Sequence, residues 1–215
     1  MRQIDQYHKT ISMTPNPLEV IEKAGRTCYK SYDKLGCTLD DATECRSSLP
    51  CGANCPHHSS RRFVEKIISL GHTSVLEHAS MTVMFKTDRA TTHEFVRHRI
   101  ASYSQESQRY VRYGNKEIEF ITPVGIKQEN LPKWISMCEN SEFYYNYLLS
   151  TGESPQIART ALNNSCATEI IVTANFREWR HIFNLRCDKA AAPQIRDLLC
   201  KFRANISQYV PIVFD

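Results

Sequence analysis

One polar run restricts what this chain can fold into, because it is too polar to be buried in a core. The run reads Arg97-His98-Arg99-Ile100-Ala101-Ser102-Tyr103-Ser104-Gln105-Glu106-Ser107-Gln108-Arg109-Tyr110. It holds three arginines, three serines and two glutamines, and its only plain aliphatic residues are Ile100 and Ala101. Each buried polar group needs a hydrogen-bond partner, so the run must face solvent or a ligand.

The arginines of this run are typical of an anion site. Guanidinium groups this close repel one another unless anions separate them, and each presents a planar fork that binds phosphate or carboxylate oxygens in pairs. The serine hydroxyls and the amide of Gln105 can supply neutral donors to the same ligand. The alternative is a solvated helix face whose arginines pair with Glu94 and Glu106. Such faces usually carry lysine, which this run lacks, so we favour a phosphate site.

The bulk composition predicts a single soluble domain. With 215 residues, of which 41% are apolar and 23% charged, the chain is long enough for one substantial core. The first residues lack the apolar run of a secretory signal, and no stretch approaches the roughly 20 apolar residues that cross a bilayer. We therefore expect a cytoplasmic protein without a membrane partner. The formal net charge of +4 is too small to indicate nucleic acid but suits nucleotides and folates.

The nine cysteines fall into two groups. Those outside 33–59 stand among apolar neighbours, and we expect them to be buried, reduced thiols; they are Cys28, Cys138, Cys166, Cys187 and Cys200. The other four lie between Cys37 and Cys55, close to His57 and His58. Their spacing matches no standard zinc finger, so a loop with free thiols is favoured over a zinc site, and both readings stay open.

The apolar pattern predicts alternating strands and helices. The predicted strands are 3–11, one that ends at Lys86, 118–124 and 166–173, and the predicted helices begin at Pro17, Ser59 or Ser60, Asp88, Leu131, Pro155, Asn175 and Pro193. After Asp88, the side chains of Arg89, His93 and Arg97 recur every four residues and so share one helical face. The serines that follow Arg97 favour a loop. The β-branched residues 170–172 indicate a strand covered on both faces.

The run around Arg97 resembles the signature of the flavin-dependent thymidylate synthases, the ThyX family. The signature is Arg-His-Arg, then seven residues, Ser, and Gln-Arg-Tyr, which here covers 97–110. Four further segments are similar to the family: Thr27-Cys28-Tyr29-Lys30-Ser31, Gly71-His72-Thr73-Ser74-Val75-Leu76-Glu77-His78, Ala158-Arg159-Thr160-Ala161-Leu162 and Pro211-Ile212-Val213-Phe214. The resemblance therefore extends from Ala24 to Phe214, with 33–59 as its gap.

The resemblance implies a fold and a reaction. The fold is α+β, with a central mostly antiparallel sheet flanked by helices, in a homotetramer whose sites combine several subunits. The reaction is reductive methylation of dUMP to dTMP, in which methylenetetrahydrofolate supplies the carbon and electrons pass from NADPH through FAD. The resemblance also implies that no cysteine adds to the pyrimidine. The absence of a Gly-x-Gly-x-x-Gly motif agrees with a flavin site outside a Rossmann fold.

The resemblance also assigns site residues. The positions that match dUMP-binding residues are Glu94, Phe95, Val96, Arg97, Gln105, Glu106, Ser107, Gln108, Arg109, Arg159 and Arg186. The positions that match FAD-binding residues are Ser74, Arg97, His98, Arg99, Gln105, Asn175, Phe176, Arg177 and His181. We expect Arg186 to be catalytic, because a permanent positive charge can stabilise the negative charge that builds on the pyrimidine at N3 and its flanking oxygens. No metal ligand is expected.

Two departures and two alternatives stand beside this prediction. Glu94 replaces the usual glutamine, and Asn163 replaces the usual proline. A carboxylate repels phosphate, so any direct contact from Glu94 would be to ribose or base. One alternative is an RNA-binding module that uses the basic run from Arg97 to Arg112, with the rings of Tyr103, Tyr110 and Tyr113 stacked on bases. The other is a metallohydrolase built on the cysteine-rich stretch with His72 and His78, which otherwise form a hydrogen-bonded turn.

Overall fold

The computed structural model describes residues 1–35, 59–113 and 117–215. Its strands are Arg2–Ile4 (β1), Tyr7–Met13 (β2), Ser80–Asp88 (β3), Ala101–Gln105 (β4), Glu119–Ile121 (β5) and Ala167–Asn175 (β6). Four of them form an antiparallel sheet in the order β2, β3, β6, β4. The other two, β1 and β5, form a parallel pair beside it. The short strand β4 is therefore an edge strand of the main sheet.

Helices flank the sheet. They are Pro17–Thr27 (α1), Ser59–Ser69 (α2), Arg89–Phe95 (α3), Leu131–Ser150 (α4), Pro155–Ala158 (α5), Phe176–Arg186 (α6), Pro193–Ile206 (α7) and Pro211–Phe214 (α8). Short 3₁₀ turns include Thr73–His78 and Arg159–Ala161. In the described part of the chain, no helix is long and apolar enough to span a membrane. The predicted α+β architecture is confirmed, whereas the homotetramer stays a prediction.

Side-chain caps join the two central strands directly to two helices. The Asp88 carboxylate accepts a hydrogen bond from the Thr91 N–H at 2.6 Å, and the Asn175 amide oxygen accepts one from the Glu178 N–H at 2.8 Å. The register pairs Asp88 with Ala167 and Ser80 with Asn175, so α3 and α6 begin at opposite ends of this strand pair. The caps therefore start two helices that run toward each other.

The main core lies where these helices meet the sheet. The Phe85 ring of β3 is 4.8 Å from the Phe95 ring of α3 and 6.2 Å from the Trp179 ring of α6. All three side chains are fully buried, together with Phe202 of α7. A second, smaller core forms around Trp134 and Tyr145 of α4. Burial of large aromatic side chains holds the ends of α3 and α6 in fixed positions over the sheet.

Several local predictions were wrong. The single strand expected at 3–11 is two strands, β1 and β2. The serines after Arg97 lie partly in β4, because the ladder with β6 supplies backbone partners that override the local preference for a loop. Ile171 is 38% exposed, so the described residues cover β6 on only one face, and the prediction of a strand covered on both faces was wrong.

Two further expectations need correction. Helix α3 ends at Phe95, so Arg97 lies beyond the helix and does not continue the face of Arg89 and His93. Cys28 and Cys200 are exposed and Cys187 is half-buried, whereas only Cys138 and Cys166 are buried as expected. The cysteine-rich insertion was predicted at 33–59. Residues 36–58 of it lie outside the described residues.

Candidate active site at the meeting of α3 and α6

Arg186, at the end of α6, is held by the end of α3. Its Nη1 donates to Glu94 Oε2 at 2.7 Å, and its Nη2 donates to the Glu94 carbonyl oxygen at 3.1 Å. Its Nε donates to His98 Nε2 at 3.0 Å. Charged hydrogen bonds of this kind are short and directional. The guanidinium therefore has a fixed orientation, although Glu94 and Arg186 are 92 residues apart in the chain.

His98 is neutral in this arrangement. Because Nε2 accepts a hydrogen bond from Arg186, the ring proton must lie on Nδ1. Burial, followed by the nearby charges of Arg186 and His181, lowers the pKa of His98 to about 4. The imidazole is only 5% exposed. It thus acts as a hydrogen-bond acceptor for Arg186 and adds no charge beside it.

Two residues of α6 complete what we call the His98 cluster, defined as Glu94, His98, Glu178, His181 and Arg186. The His181 ring packs edge-to-face against His98 with centroids 6.0 Å apart. Glu178 Oε1 is 3.8 Å from His98 Nδ1, and burial raises the pKa of its carboxyl group. His181 follows Glu178 by three residues, so both face the same side of the helix.

The His98 cluster is better suited to hydrogen bonding than to metal binding. Ligand atoms of His98, Glu178 and His181 do lie within 4.8 Å of one another. A metal at this point would need the Nδ1 lone pair of His98. A neutral imidazole has only one unprotonated nitrogen, and here that nitrogen accepts from Arg186.

Tyr103 of β4 fixes the turn that carries His98. Its hydroxyl oxygen lies 2.7 Å from the Phe95 carbonyl oxygen and 2.8 Å from the His98 carbonyl oxygen. Burial is the main cause that raises the pKa of Tyr103 to about 12, so the group remains a protonated donor. The edge strand therefore holds the turn after α3 against α6.

Comparisons with known proteins show the family to which this chain is similar. The chain matches the family model described as "Thymidylate synthase complementing protein" over residues 9–212. A flavin-dependent thymidylate synthase of Geobacter sulfurreducens is 36% identical over 94% of this chain and 82% of that protein. The synthase of Mycolicibacterium gilvum is 34% identical over 91% and 78%, and that of Pyrococcus horikoshii is 32% identical over 93% and 79%. This chain belongs to the flavin-dependent thymidylate synthase family. The predicted resemblance is confirmed, and the family is one of methyltransferases. The matches give no support to the RNA-binding alternative.

The signature residues of the family separate into exposed and buried positions. Arg97, Arg99 and Arg109 are exposed. Within the described ranges, no ion pair of these three side chains is found. The Arg109 guanidinium lies 5.6 Å from the centre of the Tyr110 ring. These charges are available to an anion.

Other predicted substrate positions are engaged inside the chain. Phe95 is fully buried, so only its backbone can contact a ligand, whereas Val96 is exposed. Glu106 accepts from the Tyr113 hydroxyl at 2.6 Å, and Gln105 donates to Thr92 Oγ1 at 2.9 Å. The last positions of the signature also have partners: Gln108 donates to the Cys166 sulfur at 3.6 Å, and Ser107 Oγ accepts from the Arg109 N–H at 3.3 Å.

The predicted flavin positions lie at the start of α6 and in the 3₁₀ turn before β3. Arg177 Nη1 donates to Glu77 Oε1 at 2.6 Å, which ties the first turn of α6 to the turn that carries Ser74. Ser74 is exposed, whereas Phe176 is fully buried and the Asn175 side chain caps α6. Glu77 therefore links Arg177 to the turn that carries Ser74. His181, another predicted flavin position, belongs to the His98 cluster.

Arg159 lies apart from the His98 cluster within this chain. It is half-buried in the 3₁₀ turn Arg159–Ala161, which packs on α4 beside the second core. No contact between Arg159 and the His98 cluster is found in the described part of the chain. The structure brings Glu94, His98, His181 and Arg186 together and leaves Arg159 elsewhere.

A cavity between α1 and α2 was missed by the sequence reasoning. It measures about 700 Å³ and reaches Ser74 and His72 at one end. Its described lining includes four cations, which are Arg26, Lys34, Arg62 and Lys66. The available signal was the repetition of positive charge at 62 and 66, one helical turn apart on α2.

Proposed function

We propose that this chain is an FAD-dependent thymidylate synthase. It converts dUMP, methylenetetrahydrofolate and NADPH, with one proton, into dTMP, tetrahydrofolate and NADP⁺. The methylene carbon joins C5 of the pyrimidine, a hydride from NADPH completes the methyl group, and the C5 hydrogen leaves as a proton. Family membership supports the flavin and the pyrimidine product, and the proposal adds FAD, the reductant and the carbon donor.

The observation that carries the proposal is the fixed orientation of Arg186. Three of its five N–H groups are used by Glu94 and His98, which leaves one on each terminal nitrogen. These two N–H groups can donate to a carbonyl oxygen of uracil and, once N3 has lost its proton, to N3. By stabilising negative charge on N3 and its flanking oxygens, these donors favour the deprotonated pyrimidine, whose C5 has more electron density to attack the carbon donor's methylene group.

Glu94 acts through Arg186 in this proposal. Its carboxylate is occupied by the guanidinium at 2.7 Å, so it holds Arg186 and does not face the substrate phosphate. This removes the conflict that a carboxylate near a phosphate would create. Neutral His98 accepts from the same guanidinium without competing for its charge. Glu94 and His98 are therefore positioning residues for Arg186.

The residues around Ser74, His98 and Arg177 fit a flavin nucleotide. A flavin dinucleotide presents a doubly charged pyrophosphate and a ring that gains negative charge on reduction. The exposed guanidiniums of Arg97 and Arg99 and the hydroxyl of Ser74 are suitable donors to the phosphates. When bound, the flavin would relay the hydride from NADPH. His98 and His181 match flavin-binding positions, and the neutral ring of His98 would add no charge there.

Cys166 and Cys187 agree with a mechanism in which no cysteine adds to the pyrimidine. Cys187 follows Arg186 directly, but burial is the main cause that raises the pKa of its thiol to about 12. Burial likewise raises the pKa of Cys166 to about 12. A thiol acts as a nucleophile only as the thiolate, so neither group is poised to add to C6 of the pyrimidine.

The proposal includes a homotetramer with sites shared between subunits. Arg159 matches a substrate-binding position but lies apart from the His98 cluster in one chain. Ile171 of β6 is an exposed apolar side chain on the sheet face opposite the buried side chains of Ile170 and Val172. A second subunit on this face would cover it, and a shared site would take its Arg159 from another chain.

A spectrum followed by an assay tests the proposal. Purified protein should be yellow, its flavin absorbance should bleach on addition of NADPH, and dTMP should form when dUMP and methylenetetrahydrofolate are added. Size-exclusion chromatography with light scattering should give four times the 24.8 kDa chain mass. Flavin binding without dTMP formation would contradict the proposed reaction, and a colourless protein would contradict the cofactor.

A further inference from the structure

The cavity between α1 and α2 is a preformed space with a rigid floor. Phe63 of α2 lies against α1 at Gly25, where an added Cβ would be 2.4 Å from the ring. Glycine at this position therefore permits the close approach of the two helices. The Arg26 guanidinium covers the same ring at 4.7 Å from its centre. The aromatic ring and the packed guanidinium fix the base of the cavity.

Positive charge at this cavity is not balanced from within the described chain. Arg26 is paired with the buried carboxylate of Glu22 at 3.0 Å. We call Lys34, Arg62 and Lys66 the basic wall. In the ranges that the structure describes, none of these three has an ion pair, and none of the residues that line the cavity is acidic. Among the described residues, three positive charges thus face one space without an ion-pair partner.

Two residues of the basic wall are arranged in a way that destabilises a helix. Arg62 and Lys66 stand four residues apart on the same face of α2, where like charges repel. The neighbouring Arg61 faces a different cavity and has its own partner, Glu65, at 3.7 Å. Helix α2 therefore balances the charge on one face and leaves the cavity face unbalanced. Such a local conflict is expected where a ligand supplies the missing charge.

The cavity also offers an aromatic surface beside the charges. Tyr29 is 82% exposed and lies on the cavity rim, and the edge of Phe63 lies within the cavity. An extended ligand with an aromatic ring followed by anionic groups would satisfy both features. The tail of a folate has this chemistry, since a p-aminobenzoyl ring carries a glutamate with two carboxylates.

We propose that the basic wall is an anion subsite that holds the carboxylate tail of the folate co-substrate. The inference rests on the proposed function, because it takes methylenetetrahydrofolate as the carbon donor. The Ser74 end of the cavity lies next to the proposed flavin positions, so a folate whose reactive end meets the flavin can extend its tail toward α2. Flexible lysines and Arg62 then pair with carboxylates at the cavity mouth.

Equilibrium binding with tail variants of folate tests the subsite. The protein is loaded with flavin and dUMP, and the dissociation constants of pteroic acid, folic acid and folic acid with three glutamates are measured. Pteroic acid lacks the glutamate. The double variant R62Q/K66Q should bind folic acid about tenfold more weakly and the triglutamate form more weakly still. Its affinity for pteroic acid should stay within about twofold.

A matched double variant controls for net charge. R61Q/K23Q also removes two positive charges, one from α2 and one from α1. Neither Arg61 nor Lys23 lines this cavity. It should bind all three compounds as the unmodified protein does. R62Q/K66Q should also unfold at an equal or higher temperature, because it removes a repulsion.

Three other outcomes would overturn the folate-tail subsite. Equal losses for pteroic acid and folic acid, or lower flavin occupancy in R62Q/K66Q, would overturn the subsite by making the wall part of the flavin site. A loss of NADPH affinity with unchanged NADH affinity and unchanged folic acid affinity would assign the wall to the nucleotide phosphate and overturn the folate tail. A protein that forms dTMP but binds folic acid equally in all variants refutes only the subsite, whereas one that binds no flavin refutes the proposed function.

Discussion

The arginines of this chain stand in two contrasting environments. Arg186 is half-buried and held by Glu94 and His98 through three hydrogen bonds. Arg97, Arg99 and Arg109 are exposed. In the described part of the chain, these three have no ion pair. The first environment fixes the orientation of a guanidinium, whereas the second leaves positive charge exposed to a ligand.

This difference separates two tasks that a guanidinium can perform. An oriented donor in a partly dry site stabilises charge that develops during a reaction, because its alignment costs nothing when the charge appears. An exposed donor contributes to binding a charge that is already present, such as a phosphate, and is weakened by salt. We therefore expect substitutions in the first environment to lower kcat and those in the second to raise KM.

The largest expected effect is at the oriented arginine. R186A should lower kcat for dTMP formation by about a thousandfold, comparable to the loss of an oriented donor in an oxyanion site. Flavin absorbance should remain, because Arg186 is not assigned to the cofactor. Initial rates and visible spectra of the purified variant measure both quantities.

The matched control for R186A is E94Q. The glutamine side-chain oxygen keeps an acceptor for Arg186, so this variant should retain activity within a few-fold. If E94Q lost as much activity as R186A, the carboxylate itself would have a role in the reaction. If R186A lost its flavin, Arg186 would belong to the cofactor site.

The next largest effect concerns acid stability through His98. Burial and two neighbouring charges lower its pKa from 6.5 to about 4 in the folded chain. Between these values the unfolded chain binds a proton that the folded chain does not, so stability falls as pH falls from about 6.5 toward 4. Linkage at roughly 1.4 kcal/mol per pKa unit gives a loss of up to about 3 kcal/mol. Urea unfolding at several pH values measures this slope.

The variant H98Q provides the comparison, because glutamine does not titrate and its oxygen can accept from Arg186. Its stability should depend less on pH in this window. Glu178, which has a raised carboxyl pKa, acts in the opposite sense by favouring the folded state at low pH. The difference between the stability–pH curves of the unmodified protein and H98Q isolates the contribution of His98. Parallel curves would contradict a neutral buried imidazole.

The smallest expected effect is at an exposed arginine. R109Q should raise KM for dUMP about tenfold with little change in kcat, since one exposed charged contact contributes about 1.4 kcal/mol. The effect should shrink as salt is added. R112Q, three residues further along the same exposed segment, is the control and should leave KM unchanged. A fall in kcat for R109Q would remove the distinction between the two environments.

The sequence predicted most elements because their signals are local. Asp88 and Asn175 are caps, Gly71 and Gly152 adopt positive φ where helices end, and apolar spacing marks α2, α4 and α7. The failures are cases in which a remote partner overrides local preference. Ser102 and Ser104 favour a loop, but the ladder with β6 makes them part of a strand.

The candidate site was predictable in membership but not in arrangement. The signature 97–110 and Arg186 could be named from their match to a family. Their individual roles could not be ranked, because burial of Phe95 and Gln108 and exposure of Arg97 depend on how α3 ends against the sheet. The basic wall was visible only as a pair of like charges, and its meaning required the facing helix α1.

The sequence by itself determined the family, the α+β class and a set of arginines suited to anions. Only the tertiary structure decided which arginine is oriented and which are free to bind. Periodicity and caps act over a few residues, so they can be read along the chain. The pairing of Glu94 with Arg186 depends on the register of β3 with β6 and on the packing of Phe95 and Trp179 around Phe85. Contacts between elements 92 residues apart follow from that packing and from no local pattern.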